Sequence, residues 1–78
     1  MTQTEQKQEE LEYHVALGQH IRMLRKKNNK TIEEIAYKAG LDAQNLRKYE
    51  LGKQEMRVGI LKRIADAFEI PVSELMNF

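Results

Sequence analysis

The chain has 78 residues, of which 41% are hydrophobic, enough for one small domain with one core and too few for a second domain. It contains no cysteine, which excludes disulfide bonds and thiolate metal sites. No apolar run approaches the roughly 20 residues that a helix needs to span a bilayer. The polar N-terminus also lacks the apolar stretch of a signal peptide. We therefore expect a cytoplasmic protein with no membrane contact.

The charge is unevenly distributed, although its sum is only +1. Residues 1–12 hold four glutamates and one lysine, a net charge of −3, whereas residues 13–78 hold twelve Lys or Arg and eight Asp or Glu, a net charge of +4. We interpret residues 1–12 as an acidic, polar tail that is either disordered or continues the first helix. Residues 13–78 are expected to form the domain, and their mildly basic charge is compatible with nucleic-acid binding.

Apolar residues at spacings of four and three predict the first helix, with Leu17, Ile21 and Leu24 on one face. Polar residues 28–30 then end this pattern. The second helix is predicted to begin after Thr31, because Thr31 and Glu34 have the spacing of a capping box. Gly40 is suited to end it in the left-handed conformation. The apolar side of this helix is formed by Ile32, Ile35, Ala36 and Ala39.

Three further helices follow. Asp42 is a suitable N-cap for the third, at residues 43–50, and Gly52 is expected to end it. The fourth is predicted at about residues 57–68, and Pro71 suits the first position of a short fifth helix. The side chains expected to face the core from these helices are Leu46, Tyr49, Val58, Leu61, Ile64, Ala65, Phe68, Leu75 and Phe78. The sequence therefore predicts an all-α fold of five helices.

Residues 31–50 contain the most informative pattern. Two helices of about eight residues are joined by Ala-Gly-Leu at residues 39–41, and a short turn with Gly between two helices is typical of a helix-turn-helix. With Leu46 and Tyr49 facing inward, the third helix presents on its outer side Ala43, Gln44, Asn45, Arg47 and Lys48. Most of these side chains can pair with base edges in the major groove. The alternative interpretation is an ordinary solvated helix face.

The stretches LGQHIRMLRKKNNKTIEEIAYKAGLDAQNLRKYELGK and ILKRIADAFEIPVSEL, within residues 17–75, resemble the lambda-repressor/Cro-like family of bacterial and phage regulators, also called the XRE family. The resemblance implies a five-helix domain that regulates transcription by binding operator double-stranded DNA, usually as a homodimer. Within this class we favour a repressor over an activator. It also implies a dimer surface near residues 57–60 and the fifth helix.

The resemblance further implies roles for individual residues. Bases would be contacted by Gln44 and Asn45, with Ala43 near a base or a thymine methyl and with Arg47 and Lys48 on bases or phosphates. Phosphate contacts are expected at Lys53 and Arg57 and, from their places around the second helix, at Lys30, Thr31, Ile32 and Tyr37. An ion pair between Arg25 and Glu50 is expected to fix the third helix. The chain departs from many relatives at Ile32, where they carry Gln, and at Leu51, where Arg or Asn is common.

Two classes of function remain open on the sequence. The first is a sequence-specific transcription regulator. The second is an antitoxin-like or accessory protein whose main partner is another protein, and the acidic tail favours it, because such a segment can fold on a partner. No enzyme, cofactor or metal is expected: the chain lacks a Gly-rich phosphate loop, and His14 and His20 are six residues apart, which does not place them well on one helix face.

Overall fold

The computed structural model describes the backbone of residues 3–78, together with the side chains of residue 9 and residues 12–78. It contains five helices: α1 (Gln3–Lys27), α2 (Ile32–Ala39), α3 (Ala43–Glu50), α4 (Val58–Ala67) and α5 (Val72–Leu75). These described residues contain no strand. The predicted all-α fold of five helices is therefore confirmed, including the bounds of the third helix.

α1 is much longer than the other helices, with 25 residues. It includes residues 3–12 of the acidic segment and continues without interruption across residues 12 and 13, where a tail was expected to meet the domain. Residues 3–12 are thus helical, whereas residues 1 and 2 lie outside the described part, and the division of the chain into a tail and a domain stays a prediction. Glu9, Glu12 and Tyr13 are exposed, and core contacts begin nearer the C-terminal half of α1, at Leu17 and Ile21.

Every helix contributes to one core. α2 contacts both α3 and α4, α1 packs against α3, and α5 packs against α4. One large, fully buried side chain comes from each helix in turn: Ile21, Ile35, Leu46, Ile64 and Leu75. Burying a side chain of this size stabilises a fold by about 1.5–3 kcal/mol relative to leaving it exposed. These five anchors therefore hold α2 and α3 at a fixed angle to each other.

Two predicted core residues and one predicted helix boundary are wrong. Val58 is 79% exposed because burial along α4 increases only from Ile60 onwards, so the first residue of the helix has little to pack against. Phe78 is 45% exposed because its ring lies on α1, beside Tyr13, instead of entering the core. Pro71 is the N-cap of α5, one position before the helix begins.

Four helices end in the same way, with a residue in the left-handed conformation that satisfies the last carbonyl groups. After α3, Gly52 has φ +70°, its amide donates to the Tyr49 carbonyl, and the Lys53 amide donates to the Lys48 carbonyl. This is the Schellman arrangement. The residues at the corresponding place after α1, α2 and α4 are Asn29, Gly40 and Glu69. The turn between α2 and α3 is therefore closed by hydrogen bonds of its own.

The capping box predicted at the start of α2 is present. Thr31 Oγ1 accepts a hydrogen bond from the Glu34 amide (3.1 Å), and Glu34 Oε1 accepts one from the Thr31 amide (3.2 Å). The hydrogen bond from the Thr31 backbone, followed by that of the Thr31 side chain, lowers the pKa of Glu34 below its ordinary value, and the charges of Lys30 and Lys38 act in the same direction. The carboxylate form is therefore favoured in the folded state.

We expect Glu34→Gln to remove a contribution to the unfolding free energy that depends on pH. Because the folded pKa of Glu34 is lowered, its carboxylate stabilises the fold above the unfolded pKa, and this contribution is lost as pH falls through the folded pKa. The difference in unfolding free energy between the native chain and Glu34→Gln, measured in urea from about pH 6 to about pH 3, should therefore shrink as pH falls. The control is Glu55→Gln, an exposed carboxylate outside any helix cap. A Glu34→Gln difference that stays constant over this range contradicts the prediction.

Candidate nucleic-acid interface

α3 is fixed on one side and open to solvent on the other. Leu46 and Tyr49 are 0% and 6% exposed and pack into the core. At the start of the helix, Asp42 Oδ1 accepts a hydrogen bond from the Gln44 amide (3.0 Å), as expected for an N-cap. These contacts hold the helix by its inner face and its first turn, so its outer face has a defined direction.

Gly18 of α1 lies directly against the backbone at the end of α3. A Cβ atom at this position would lie 2.5 Å from the carbonyl oxygen of Glu50 and closer still to that of Tyr49. Both of these atoms belong to the backbone, so neither can turn aside as a flexible side chain would. α1 and α3 therefore approach each other at a distance that only glycine permits, and this contact sets the depth at which α3 lies in the fold.

The outer face of α3 contains the residues that the sequence predicts for base contacts. Gln44, Asn45, Arg47 and Lys48 are all exposed. Ala43 differs from them, because it is half-buried and packs against the edge of the core. The open part of the face therefore consists of two amides and two cations, which can donate to or accept from base edges.

A shallow depression of about 280 Å³ lies along this face and the loop that follows it. Its lining residues are Gln44, Arg47, Lys48, Leu51 and Lys53. The structure thus brings a residue predicted for phosphate contact, Lys53, next to three predicted for base contact. Leu51 is 48% exposed and is the one apolar lining residue, at the position where many relatives carry Arg or Asn.

A larger cleft of about 470 Å³ lies between the C-terminal part of α1, the start of α2 and the end of α3. Its lining residues are Arg22, Arg25, Lys30, Thr31, Ile32, Glu33, Arg47, Glu50 and Leu51. Arg47 and Leu51 line both the cleft and the depression, so the two are neighbours on one surface. Four basic and two acidic side chains line the cleft, which gives it a net positive charge suited to an anion.

The start of α2 forms one wall of the cleft, with Lys30, Thr31 and Ile32. The Ile32 side chain is only 8% exposed and belongs to the core, so a phosphate contact at this position would be made by its backbone amide. The first amides of a helix have no carbonyl partner within the helix and carry the positive end of its dipole. Backbone amides at a helix start are a frequent phosphate-binding arrangement.

Arg25 and Glu50 form a two-pronged ion pair at the back of the cleft. Arg25 Nε donates to Glu50 Oε2 (2.8 Å) and Arg25 Nη2 donates to Glu50 Oε1 (3.1 Å). Arg25 Nη1 donates in addition to the carbonyl oxygen of Lys30 (3.0 Å). The hydrogen bond to Glu50 raises the pKa of Arg25; burial, the next largest effect, lowers this pKa, and the charges of Glu50 and Glu33 raise it. One guanidinium therefore joins α1, the turn before α2 and the end of α3.

Sequence reasoning did not assign a site role to two residues of the cleft. Arg22 is exposed and lies one turn before Arg25 on α1, so a search for i, i+3 neighbours of Arg25 would have found it. Glu33 lies at the start of α2 and places a negative charge beside the cleft, where it opposes an anion. The cleft is thus positive at Arg22, Lys30 and Arg47 and negative at one edge.

Not every predicted contact residue lines these two depressions. Asn45 and Ala43 lie on α3 without lining either, and Tyr37 is 88% exposed on α2. Arg57 is exposed and stands at the N-cap of α4. A straight or gently curved surface such as DNA contacts protruding side chains as well as depressions, so these residues remain predictions.

Among the described residues, neither a metal-binding cluster nor a membrane-spanning helix occurs. No three His, Asp or Glu side chains among them are grouped closely enough to hold a metal ion. No helix within residues 3–78 is long and apolar enough to cross a membrane.

Comparison with known proteins identifies relatives of this fold. The helix-turn-helix family matches residues 21–75. The restriction-modification controller protein C.AhdI from Aeromonas hydrophila has a similar structure, with a TM-score of 0.76, 30% sequence identity, and coverage of 78% of this chain and 92% of that chain. The clp gene regulator ClgR from C. glutamicum shares the fold, with a TM-score of 0.77, 23% identity, and coverage of 82% and 83%. No curated protein sequence matched the chain.

The family match covers more than half of the chain, and it includes α2, α3 and the turn between them. The match to C.AhdI includes nearly the whole of that protein. The resemblance drawn from the sequence is confirmed: the chain belongs to the helix-turn-helix family of XRE-like, DNA-binding transcriptional regulators.

Proposed function

We propose that the protein is a sequence-specific repressor that binds a two-fold operator as a homodimer, with α3 in the major groove. The observation that carries the proposal is the outer face of α3, where four exposed polar side chains stand on a helix whose inner face is anchored by Leu46 and Tyr49. A recognition helix needs both properties, because its side chains must extend to the base edges and the helix itself must be held at a fixed position in the groove. The similar structure of C.AhdI, a controller protein, supports a regulatory role.

Within this proposal the roles divide by position. Gln44 and Asn45 stand at the N-terminal end of α3, the end that reaches base edges first in this type of domain. Their amides suit adenine, while Arg47 suits guanine or a phosphate. Lys48 lies beside Arg47 in the depression, and Ala43 approaches a base through its methyl group. Recognition thus depends mainly on the first turn of α3.

Phosphates are contacted on both sides of α3. On one side, Lys30, the Thr31 hydroxyl and the Ile32 amide at the α2 start form the cleft wall. On the other side lie Lys53 in the depression and Arg57 at the start of α4. Tyr37, which is exposed on α2, is a further hydrogen-bond donor for a phosphate. Contacts on both flanks of a recognition helix fix its register on the duplex without reading sequence. We place this DNA binding in the cytoplasm.

The test is selection of binding sites from a random double-stranded DNA pool, followed by competition against bulk DNA at physiological salt. The proposal expects a site with two inverted halves about one helical turn apart, roughly 34 Å from centre to centre. It also expects a reporter gene with this site over its promoter to be expressed less when the protein is present. If no sequence outcompetes bulk DNA, the proposal is wrong and a protein partner becomes the better explanation.

We expect Gln44→Ala and Asn45→Ala to weaken binding to the selected site by about 1–3 kcal/mol each and to relax the base preference at one position. Binding to unrelated DNA should change little, because the phosphate contacts remain. The matched control is Gln54→Ala, which removes an exposed amide in the loop between α3 and α4. Competition assays with single-base variants of the site measure the effect. Equal losses on the selected site and on unrelated DNA would refute base reading by these two residues.

We expect Lys53→Ala and Arg57→Ala to act differently from changes on α3. Each should weaken binding to all sequences alike and reduce the slope of log affinity against log salt by about one unit, because one phosphate contact is lost. Arg63→Ala, an exposed cation of α4, is the control. Binding isotherms between about 50 and 200 mM salt supply the slopes. If the salt slope of a variant stays at the native value, the replaced residue makes no phosphate contact.

A further inference from the structure

α1 has a surface that neither the core nor the candidate interface uses. Residues 9, 13, 16, 20, 23 and 27 follow each other at spacings of four, three, four, three and four. They therefore lie in one row along about 27 Å of the helix. This row, called the α1 stripe below, consists of Glu9, Tyr13, Ala16, His20, Met23 and Lys27.

The middle of the α1 stripe is mostly apolar and partly exposed. Tyr13 and Met23 are 50% and 53% exposed, and Ala16 and His20 between them are half-buried. Phe78 flanks the row, with its ring centroid 5.1 Å from that of Tyr13 and 5.6 Å from that of His20, and is itself 45% exposed. Single exposed apolar residues are ordinary on a protein surface, but contiguous ones that include two aromatic rings and a methionine mark a protein contact.

The ends of the α1 stripe have opposite charges. Glu9 is exposed at the N-terminal end and Lys27 is exposed at the C-terminal end. The spacings between the residues of the row, four, three, four, three and four, are the same from either end. Two copies placed antiparallel about a midpoint near residue 18 therefore bring Glu9 opposite Lys27 of the second copy. The same symmetry brings Tyr13 opposite Met23 and the small Ala16 opposite the larger His20.

We propose that the α1 stripe is the interface of a homodimer in which two α1 helices pack antiparallel. Each pair across this interface is complementary: opposite charges at both ends, a thioether on an aromatic ring, and a small side chain against a large one. The alternation of three and four is the spacing with which helices pack side by side. A two-fold axis through the midpoint gives every pair twice, as an isologous contact requires.

The position of the α1 stripe leaves the DNA-binding cleft free. At 100° per residue, the stripe residues 13–27 lie about 100–180° around α1 from Arg22, which lines the cleft. In naming the dimer surface the inference rests on the proposed function, which requires a homodimer. It differs from the surface near residues 57–60 and the fifth helix that the family resemblance implies, where Val58 is exposed, Ile60 is half-buried against the core and the residue between them is a glycine.

Charge exchange tests the pairing directly. In sedimentation equilibrium of the full chain without DNA, Glu9→Lys and Lys27→Glu should each weaken dimerisation by roughly tenfold, because each change places like charges together at both ends. The double variant Glu9→Lys/Lys27→Glu should return to within about threefold of the native chain. The two residues are about 27 Å apart on one helix, so recovery reports a contact between copies. A double variant as weak as the two losses combined overturns the proposal, as does a monomeric native chain.

Two matched substitutions separate the candidate surfaces. Met23→Glu should weaken dimerisation by roughly a hundredfold, and Val58→Glu should leave it unchanged. Because both positions are exposed, circular dichroism should show the native helix content in both variants. The opposite result overturns the proposal and assigns the dimer to residues 57–60. The chain could dimerise through the α1 stripe and yet select no DNA sequence. That result would support this inference and refute the proposed function, so the two proposals can be tested independently.

Discussion

Replacing Gly18 with Ala is expected to destabilise the fold by about 3 kcal/mol or more and to abolish selective DNA binding. The added Cβ would lie 2.5 Å from the Glu50 carbonyl oxygen, a distance that side-chain rotation cannot relieve, because the contact is with backbone. α1 and α3 must move apart, which shifts the recognition helix and opens the core around Leu46. A small domain often has only about 5 kcal/mol of stability to lose.

Gly59→Ala is the matched control for this prediction. Gly59 is an exposed helical residue of α4, and an added Cβ would meet no described atom within 4 Å. Replacing a helical glycine in open space stabilises a protein by about 0.4–1 kcal/mol, since the unfolded chain loses freedom. The two changes are identical in chemistry and opposite in expected sign. Urea unfolding measures both, and a Gly18→Ala variant as stable as the native chain would show that α1 and α3 do not touch in this way.

The sequence predicts those parts of the fold that local chemistry determines. The capping box of Thr31 and Glu34, the Asp42 cap and the glycines after α2 and α3 each satisfy backbone groups within a few residues, so their spacing is visible in the chain. The bounds of α3 follow from the same signals. The candidate interface was predictable to the same extent, because once Leu46 and Tyr49 are assigned to the core, the outer face of α3 is fixed by the helical repeat.

Contacts between distant segments were not predictable from local spacing, and the Arg25–Glu50 pair was expected only from the family resemblance. Gly18 gives no local sign of its role, because a glycine within a helix is as compatible with open space as with a close approach, as Gly59 shows. Val58 continues the apolar spacing of α4, yet what covers a helix end depends on its neighbours. The cleft joins three helices, so its outline is visible only when the fold is known, although the i, i+3 spacing from Arg25 could have pointed to Arg22.

Glu69 shows a further limit of prediction from the sequence. It adopts φ +59° after α4, where glycine or asparagine is the usual residue. The Glu69 amide donates to the Asp66 carbonyl, the Ile70 amide donates to the Ala65 carbonyl, and Ile70 then packs against the core. Burial of Ile70 thus outweighs the roughly 1 kcal/mol that the left-handed conformation costs a residue with a side chain. Tertiary packing decides the end of α4, and residue preference does not.

Glu50→Gln is expected to destabilise the fold by about 3 kcal/mol, because it leaves the Arg25 guanidinium largely buried without its counter-charge. The side chains of Arg25 and Glu50 are only 13% and 4% exposed, so water replaces little of the lost interaction. Asp66→Asn is the control: it breaks the Lys62–Asp66 pair, which has a similar length, 2.7 Å against 2.8 Å, but side chains that are 65% and 59% exposed. An exposed helical pair contributes about 0.3–0.5 kcal/mol. Equal losses for the two variants in urea would show that burial does not strengthen the Arg25–Glu50 pair.

The double variant Arg25→Met/Glu50→Met separates charge from position. Removing both charges leaves no unpaired ion, so stability should recover most of the loss of Glu50→Gln, as apolar replacements of buried ion pairs do. DNA binding should not recover with it. Arg25 also donates to the Lys30 carbonyl (3.0 Å), which holds the turn before α2 against the end of α3, and methionine cannot replace that hydrogen bond. A double variant that regains stability and selective DNA binding together would show that the ion pair serves folding alone and does not position α2 and α3 on DNA.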